Sequence, residues 1–583
     1  MSSKSLEQAK SPGRLSRLVP ILSWLPNYNR AWLVPDVIAG LTLWGLVVPE
    51  GMAYAGIADL PPQAGLYTLV GALFVYALFG SSRHLSVGAT SATAALIAAT
   101  VVSMGVTPSD METYQAYTIG VVLVVAVLFL VAGIARLGFI TQFLSKPVMD
   151  GFVTGLAIFV AVGQLPKLFG VEKGEGNVLQ KIIAIGEQYP EVNWVTFVVG
   201  ASALALLFLL HRWNRKIPAG LVVLFGYIAL SSVLDLNGNY GVEIVGSLPQ
   251  GLPSLALPQI SISEMIPMIL PAMGIFLVAY SEALGVAREF GEKHNYEIDP
   301  DQELNAHALT NFATGLFGGM IGSGGMSGSA VKEGAGAKSQ VSNLVAWVVT
   351  VITLLFLTPL FTNLPEAVLA ALIIHAVWHL IVARKLKKIY LVSRTEFVMA
   401  LITFTGVILL DILQGMIIGL VLSLLLVIFH SSRPHLASLG RDPSDPEYYS
   451  DLTRHPENQP VPGVLILRLD APIYYANALT VRDKIKKLID ESEAPVRAVI
   501  LDSTSQDSLD VTSSDMLISL LRELKGKGIE VYVTDVHATV LEFSLRTELF
   551  DLIGEDHRFT TVDSAVQYIE SSTQSEMSGS DEK

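Results

Sequence analysis

Long apolar runs recur between Val34 and Phe429 and alternate with short polar connections. Each run holds about 20 residues, which is enough for an α-helix to cross the hydrocarbon core of a bilayer. The runs number about 14, with about 12 as the alternative count, and two of them are short and broken. The pattern predicts a polytopic α-helical membrane domain over residues 34–432, preceded by a cytoplasmic N-terminal segment, residues 1–33.

Two of the apolar runs are interrupted by glycine, serine and threonine, one at 84–93 and the other at 322–331. Non-helical backbone at membrane depth must be buried in protein or line a cavity, because hydrocarbon supplies no hydrogen bonds. A helix that restarts there points unpaired N–H groups and the positive end of its dipole into that cavity. If a second half begins near Glu264, each interruption lies in the third crossing of its half. This predicts an inverted repeat of seven plus seven crossings with an anion site between the halves.

Composition and charge fit a membrane protein and set its orientation. Hydrophobic residues make up 51% of the chain and charged residues 15%, against about 25% charged in an ordinary soluble domain. Lys and Arg cluster at alternate connections, whereas the connections Asp235–Ser263 and Thr358–Glu366 contain neither. The positive-inside rule therefore predicts an even number of crossings with both chain termini in the cytoplasm. Because the chain has no Cys, disulfides, zinc–thiolate sites and thiol nucleophiles are excluded.

The sequence changes character after Ser438. Residues 433–462 are polar and are predicted as a linker. Residues 463–571 alternate short apolar runs with segments of helical spacing, which is typical of a small α/β domain, and 572–583 are predicted as a disordered tail. From Arg441 onward the chain holds 27 acidic and 14 basic residues. This balance argues against binding to nucleic acid, for which a basic face is expected.

Two glutamates lie inside apolar crossings: Glu50 in the first, after Pro49, and Glu282 in the first crossing of the second half. Because a carboxylate at membrane depth is costly, a functional role is the leading hypothesis for Glu50, and for Glu282 it stands level with a structural ion pair. Burial favours the neutral acid, and a neutral Glu50 can donate a hydrogen bond to an anion that a carboxylate would repel. The alternatives are a bond from Glu50 to a neighbouring helix and an ion pair between Glu282 and Arg288. Two core acids without a basic partner indicate coupling to a cation, H⁺ or Na⁺.

Hydroxyl-bearing residues open both broken helices. Thr90 and Ser91 begin the first, and Ser327 with Gly328 begins the second. Hydroxyls and free N–H groups together can hold an oxyanion or a halide without a formal positive charge. The alternative is that small residues here only allow helices to pack closely. Tyr54, one turn beyond the first crossing's glutamate, is predicted to line the same cavity, with plain packing as its alternative.

The remaining polar residues of interest carry weaker signals. Lys332 and Lys338 follow the second broken helix and are predicted to mark the cytoplasmic end of that crossing rather than to contact an anion. In the tail, Ser513 or Ser514 at a helix start is a candidate phosphorylation switch, with an N-cap as the favoured alternative. The sequence contains no nucleophile–base set and no metal-binding cluster, so no catalytic residue, metal or cofactor is predicted.

Several motifs resemble the SulP family of anion transporters, often called sulfate permeases. They are D-V-I-A-G-L-T, V-P-E-G-M-A-Y-A and L-P-P-Q-A-G-L-Y between Asp36 and Tyr67, then G-S-S-R-H-L-S-V-G, E-I-D-P-D-Q-E-L, G-L-F-G-G and S-A-V-K-E-G-A-G-A-K-S. The segment Gly463–Ile569 resembles the sulfate-transporter and anti-sigma-factor-antagonist (STAS) domain that follows SulP membrane domains. The resemblance covers nearly the whole chain.

The resemblance implies fourteen crossings, a core domain that moves against a gate domain like an elevator, and a homodimer. It also implies an anion site between the third and tenth crossings. By matching motif positions, that site contains Glu50, Tyr54, Thr90 and Ser327, and Glu282 is the acid that couples transport to a cation.

The chain departs from the family pattern at three positions. Many members have Gln at Glu50, Arg at Gly328 and Pro at Ala89, and members with Glu at the first position are associated with proton coupling. Without the arginine, binding of a doubly charged anion is harder, and a proton on Glu50 offsets part of that difficulty. The departures therefore favour symport over simple exchange.

We expect a multi-pass protein of the cell membrane that takes up an inorganic anion, with sulfate and H⁺ as the leading pair. Bicarbonate, a dicarboxylate such as fumarate, Na⁺ coupling, and an uncoupled exchanger or channel are the alternatives. A nucleobase transporter of the same architecture is a further alternative, against which the STAS-like tail argues. A non-transport alternative is a membrane sensor or scaffold whose STAS domain binds a protein partner. An enzyme is not expected.

Overall fold

A computed structural model describes residues 19–140, 145–174, 176–213, 219–378, 380–381, 383–492 and 494–580. The predicted N-terminal segment 1–33 lies mostly outside these residues. Contacts divide the chain into two compact units, Met1–Leu424 and Leu425–Lys583. The first unit is helical and the second contains a sheet, as the change of sequence character after Ser438 predicts.

The membrane unit consists of helices and two short strands. Its main elements in chain order are α1 (Leu33–Ile57), α2 (Gln63–Phe79), β1 (Ser86–Gly88), α3 (Ser91–Ser103), α4 (Met111–Ile134), α5 (Lys146–Phe169), α6 (Val178–Glu187), α7 (Trp194–Trp213), α8 (Ala219–Leu234), α9 (Ile269–His294), α10 (Pro300–Leu316), β2 (Ser323–Gly325), α11 (Met326–Gly334), α12 (Val341–Ile352), α13 (Glu366–Trp378), α14 (Ala383–Val392), α15 (Arg394–Leu409) and α16 (Ile412–Ser431). The last helix extends past the boundary between the units.

Fourteen of these helices account for the crossings that the sequence predicts. Seven are long and apolar enough to span a bilayer, namely α1, α4, α5, α7, α9, α12 with its continuation to Phe361, and α16. Four shorter apolar helices are α2, α3, α8 and α13. The polar α10, the half-helix α11 and α15 complete the set, which confirms a polytopic helical fold with seven crossings in each half.

The crossings pack as two groups. In one group α10 packs against α4 and α2, and α12 packs against α1. In the other, α5 packs against α15 and α13, and α13 also packs against α7. Close approach inside the first group depends on glycine: a Cβ added at Gly65 would lie 1.9 Å from the carbonyl oxygen of Gly51 on α1. Such contacts are typical of membrane helices, which associate through small residues.

The two glycine- and serine-rich interruptions form strands that pair with each other. β1 and β2 are antiparallel, with Ser86 opposite Gly325 and Gly88 opposite Ser323. The side chain of Asn311 on α10 satisfies the backbone just before β2, because it donates to the Gly322 carbonyl at 3.1 Å and accepts from the Gly322 N–H at 2.9 Å. Non-helical backbone therefore persists at membrane depth because protein groups supply its hydrogen bonds.

The second unit contains a six-stranded sheet covered by helices. Its elements are β3 (Leu436–Arg441), β4 (Tyr449–Asp451), β5 (Val464–Leu469), α17 (Ala478–Asp490), β6 (Ala498–Asp502), α18 (Val511–Gly526), β7 (Glu530–Thr534), α19 (Ala538–Ser544), α20 (Leu549–Ile553), β8 (Arg558–Phe559) and α21 (Val562–Ser580). The strand order is β4-β3-β5-β6-β7-β8, with β5 to β8 parallel and β3 antiparallel to both of its neighbours. Alternate strand residues pack against α17 and α18 on one face and against α21 on the other.

Two expectations about the boundaries of this domain are corrected. The segment 433–462, predicted as a linker, supplies β3 and β4, because burial of Ala437, Leu439 and Tyr449 against the sheet outweighs the polarity of the stretch. The helix α21 continues to Ser580, over most of the predicted disordered tail 572–583, and the last three residues lie outside the described part of the chain.

Candidate functional site

The antiparallel pairing of β1 with β2 brings the starts of two half-helices together. α3 begins at Ser91, three residues after β1, and α11 begins at Met326, directly after β2. Since the strands run in opposite directions, the two half-helices leave the pairing point in opposite directions. Both N-termini therefore face the middle of the membrane unit, where helix dipoles favour a negative charge.

Each core glutamate bonds to the half-helix of the opposite half. Glu50 on α1 accepts a hydrogen bond from the Ser327 hydroxyl on α11, with Oγ and Oε2 3.3 Å apart. Glu282 on α9 accepts one from the Thr90 hydroxyl at the start of α3, with Oγ1 and Oε2 3.2 Å apart. The predicted alternative, an ion pair between Glu282 and Arg288, is not formed within the described structure. The structure thus joins four predicted site residues in two crossed pairs.

The two half-helices differ in how their first N–H groups are satisfied. The Thr90 hydroxyl accepts from the Thr93 N–H, and Thr93 returns the bond in a capping box that closes the start of α3. α11 begins at Met326, and its N-cap residue, Gly325, supplies no side-chain cap. A helix start without a cap leaves donors that a bound anion can accept from. The Ser327 end is therefore the better anion site of the two.

The other predicted site residues lie around these pairs. Tyr54 on α1 is buried and lies within electrostatic reach of both carboxylates. Ser91 is the buried first residue of α3. Gly328 is buried on α11, and a Cβ added there would lie 3.2 Å from Ser86 Oγ and 3.3 Å from Leu43 Cδ1. A larger residue at Gly328 would thus displace its neighbours.

Sequence reasoning missed residues that hold the two halves in register. The Ser86 N–H donates to the Ser329 hydroxyl at 2.9 Å, which links β1 to α11. Asn311 braces the backbone before β2, and the Thr68 hydroxyl accepts from the Met320 N–H at 2.7 Å. Asparagine within an apolar crossing was a visible signal, whereas the hydroxyls of Thr68 and Ser329 were not distinguishable from those of other small residues.

The two lysines after the second interruption occupy different environments. Lys338 is exposed, as expected at the end of a crossing. Lys332 on the last turn of α11 is fully buried, with 0% of its surface exposed. It hydrogen-bonds Leu85, Gln340 and Asn343 and not Ser327 or Glu50, and its complete burial is not what is expected of a lysine that marks the cytoplasmic end of a crossing.

No metal centre is formed within the described residues, since no group of three His, Asp or Glu side chains is suitably placed. Among the hydrogen bonds of Glu50, Glu282, Ser327 and Thr90 in that part of the chain, none involves Lys or Arg. The arrangement offers hydroxyl donors, helix N–H groups and two acids that can carry protons. Chemically it suits reversible binding of an anion together with a cation.

In the second unit, Asp510 is the N-cap of α18, Ser513 is its partner three residues later in a capping box, and the Ser514 hydroxyl bonds to Thr547. The Ser513 hydroxyl and N–H both donate to Asp510 Oδ1 at 2.7 Å at the start of α18, and Ser513 and Ser514 are at most 1% exposed. Burial alone would raise the pKa of Asp510. Hydrogen bonds from Ser513 and from the Tyr475 N–H outweigh burial and hold this pKa below its ordinary value. The N-cap prediction for these serines is therefore corrected, since Asp510 occupies that position, and the burial of both hydroxyls argues against a modification site.

Comparisons with known proteins agree with this architecture. A family model described as the sulfate permease family matches residues 33–403, and one described as the STAS domain matches residues 455–565. A probable sulfate transporter of Mycobacterium tuberculosis is 34% identical over 550 residues, which are 93% of this chain and 98% of that protein. Sulfate transporter 3.1 of Arabidopsis thaliana is 30% identical over 574 residues, covering 95% of this chain and 87% of the relative.

Two solved structures share the fold. The murine solute carrier 26 family member A9, an anion transporter in the inward-facing state, superposes with a TM-score of 0.88 at 24% identity, over 97% of this chain and 96% of its own. The transmembrane domain of a cyanobacterium bicarbonate transporter gives 0.59 at 23% identity, over 68% of this chain and 98% of its own. At these identities the likeness concerns the fold alone.

Proposed function

Because the chain belongs to the sulfate permease family, we propose that it is a secondary active transporter that takes up sulfate together with H⁺. The family consists of anion transporters, and the chain is a multi-pass membrane protein rather than an enzyme. Sulfate is the leading substrate because it is the one named for the relatives that match over nearly their whole length.

The observation that carries the proposal is the bond between Ser327 and Glu50. An anion at the open start of α11 requires the Ser327 hydroxyl as a donor, but that hydroxyl now donates to the Glu50 carboxylate. A proton on Glu50 releases the hydroxyl, removes a negative charge beside the anion and adds an O–H donor. Proton binding and anion binding therefore favour each other, which is the linkage that symport requires.

The second crossed pair suits the cation side of the transport cycle. Glu282 on α9 is partly exposed and lies beside the start of α3, where the Thr93 N–H is already bonded to the Thr90 cap. A negative charge there attracts a cation instead of competing with the anion. With Na⁺ as the second candidate cation, the same carboxylate is the ligand that a hard cation prefers.

The packing of the crossings supports an elevator-like movement. Glu50, Thr90, Glu282 and Ser327 all lie on α1, α3, α9 and α11, within or against the group formed by α1, α2, α4, α10 and α12. Such a group can carry the intact site past the group of α5, α7, α13 and α15. We also propose a homodimer in the cell membrane, with both chain termini in the cytoplasm.

Uptake into proteoliposomes tests the proposal. Labelled sulfate, bicarbonate and fumarate are offered with and without an inward proton gradient, to the full chain, to Glu50→Gln and to Glu112→Gln, an exposed acid at the start of α4. We expect the gradient to accelerate sulfate uptake by the full chain and by Glu112→Gln but not by Glu50→Gln. Uptake rates that do not depend on the proton gradient in any variant contradict proton coupling. So does a Glu50→Gln variant whose uptake responds to the gradient as that of the full chain does.

Bicarbonate is the second candidate substrate. Within the described residues no Lys or Arg contacts the site hydroxyls, and a singly charged anion needs less compensation than sulfate. Faster uptake of bicarbonate than of sulfate in the same vesicles favours this alternative. Anion currents that do not depend on pH favour an uncoupled channel or exchanger.

A further inference from the structure

One buried charge close to the site has no part in the mechanism proposed above. Lys332 lies on the last turn of α11, on the same half-helix as Ser327, and is fully buried. Five residues separate the two, which is about 8 Å along a helix axis. A buried ammonium group at membrane depth is costly and needs a reason.

The partners of Lys332 are neutral. Its Nζ donates to the Asn343 side-chain oxygen at 2.8 Å, to the Leu85 carbonyl at 3.3 Å and to the Gln340 side-chain oxygen at 3.4 Å. Within the described part of the chain no carboxylate lies within 4.0 Å of it. These partners hydrogen-bond the ammonium group but leave its charge uncompensated.

The carboxylate that interacts with Lys332 at longer range is already committed elsewhere. Asp36 accepts from the Lys338 N–H at 2.7 Å, from the Ser339 hydroxyl at 2.7 Å and from the Tyr28 hydroxyl at 2.9 Å. These donors are neutral, so they satisfy the hydrogen-bonding capacity of Asp36 without cancelling its charge, and Asp36 offsets part of the potential of Lys332. The positive field of Lys332 extends through the buried interior, where screening by water is weak.

A single peptide unit joins this ammonium group to the start of the half-helix. The Leu85 carbonyl accepts from Lys332, and the N–H of the same peptide, which belongs to Ser86, donates to the Ser329 hydroxyl. A cation on the oxygen strengthens the N–H of that unit as a donor, because hydrogen bonds in a chain polarise one another. Ser86 is also the first residue of β1, which pairs with β2 just before α11.

We propose that Lys332 determines which anion charge the site accepts, by supplying through space the positive potential that no residue in contact with the site provides. This inference rests on the proposed function and names a specificity-determining residue within it. The ammonium group offsets the repulsion of Glu50 and Glu282 toward an incoming anion. Held by three acceptors, it stays in place when the anion leaves.

The expected size of the effect follows from charge and distance. At an effective dielectric constant of about 20, one unit charge about 10 Å away changes the affinity for a monovalent anion by about tenfold. The electrostatic free energy is proportional to the anion's charge, so the factor for a divalent anion is the square, about a hundredfold. A purely structural defect would instead weaken both anions by the same factor.

The experiment measures how strongly unlabelled sulfate and unlabelled bicarbonate each inhibit the uptake of labelled sulfate by the full chain in proteoliposomes. Lys332→Gln keeps a polar side chain but removes the charge, Lys332→Arg keeps the charge, and Lys338→Gln removes an exposed lysine six residues away. We expect Lys332→Gln to weaken sulfate by about the square of the factor for bicarbonate. Lys332→Arg restores most of the sulfate affinity, and Lys338→Gln leaves both anions unchanged.

A second variant tests the charge without removing the lysine. Asn343→Asp places a carboxylate at the acceptor that now lies 2.8 Å from Nζ, and so neutralises Lys332 in place. It should reproduce the preferential loss of sulfate even if Lys332→Gln does not fold. Equal loss of both anions, or no loss in either variant, overturns the role of Lys332. If the unaltered chain takes up neither anion, the proposed function itself fails.

Discussion

Ser327→Ala and Thr90→Val remove the donor hydroxyl from each of the two crossed pairs, yet they should have different consequences. Ser327 is the second residue of an uncapped helix, and its hydroxyl has no capping role and donates to Glu50. Thr90 is the N-cap of α3, and its hydroxyl accepts from the Thr93 N–H while it donates to Glu282. One substitution therefore removes a ligand group, and the other mainly removes a cap.

The magnitudes follow from these contacts. A hydrogen bond to a charged group contributes about 1.5–3 kcal/mol, and the free protein loses only a long bond, 3.3 Å, to Glu50. Ser327→Ala should therefore lower anion affinity by about 1–2 kcal/mol net, or about 5- to 30-fold. Thr90→Val should cost about 0.5–2 kcal/mol of stability through the lost cap, with a smaller change in affinity.

Anion titration by calorimetry and thermal unfolding of the same detergent-solubilised samples separate the two effects. We expect a raised dissociation constant with an unchanged unfolding temperature for Ser327→Ala, and the reverse for Thr90→Val. Ser327→Thr is the matched control, because it retains the hydroxyl. If Thr90→Val weakens the anion as much as Ser327→Ala does, the asymmetry between the half-helices is refuted.

Three further predictions concern the pairing of the halves, the crowding at the site and the second unit. Ser86→Cys combined with Gly325→Cys should form a disulfide on oxidation and still transport, because in the proposed elevator-like movement the paired residues move as one body. The control pair, Gly88→Cys with Gly325→Cys, is out of register and should not cross-link. Loss of uptake when the first pair is cross-linked contradicts the elevator-like movement. Gly328→Ala should cost about 1–3 kcal/mol through overpacking against Ser86, visible as a lower unfolding temperature, and an unchanged temperature would show that the neighbours yield freely. The pKa of Asp510 lies below its ordinary value of 3.8, so the stability that its cap contributes to α18 is complete at neutral pH and is lost as the pH falls through the lowered pKa. Asp510→Ala should therefore speed amide hydrogen exchange at the start of α18 at pH 7 and have little effect in strong acid.

Much of this fold follows from the sequence alone, because its signals are local. Apolar length predicts the crossings, and interrupted runs at matching positions predict two half-helices that face each other. The family resemblance implies that Glu50 and Ser327 share one site, but their direct hydrogen bond was not predicted, because it depends on how α1 packs against a helix 277 residues later in the sequence. The burial of Lys332 depends in the same way on Leu85, 247 residues earlier. A lysine after an apolar run is equally typical of an exposed helix end, so only tertiary contacts determine whether its side chain is buried.

The linker prediction failed for a related reason. β3 has only three fully buried residues among six and β4 has only three residues in all, so neither strand is long or apolar enough to be recognised without the strands it pairs with, β5 for β3 and β3 for β4. Strand pairing is non-local, and a six-residue stretch carries little information about which sheet it joins. The parallel strands β5, β6 and β7 are buried on both faces and therefore read as continuous apolar runs.

The repeat explains why two similar half-sites can perform different tasks. An inverted repeat supplies each half with one acid and one half-helix, and the crossing of the pairs places each acid against the other half's helix start. A single local difference then separates their chemistry: Thr93 closes the start of α3, while α11 stays open. In the proposed mechanism the open start binds the anion, and Glu282 beside the capped start attracts the cation. Tyr54 lies within electrostatic reach of both acids, so the two half-sites lie close together, and in the proposed symport this proximity is what would let a charge at one half-site influence binding at the other.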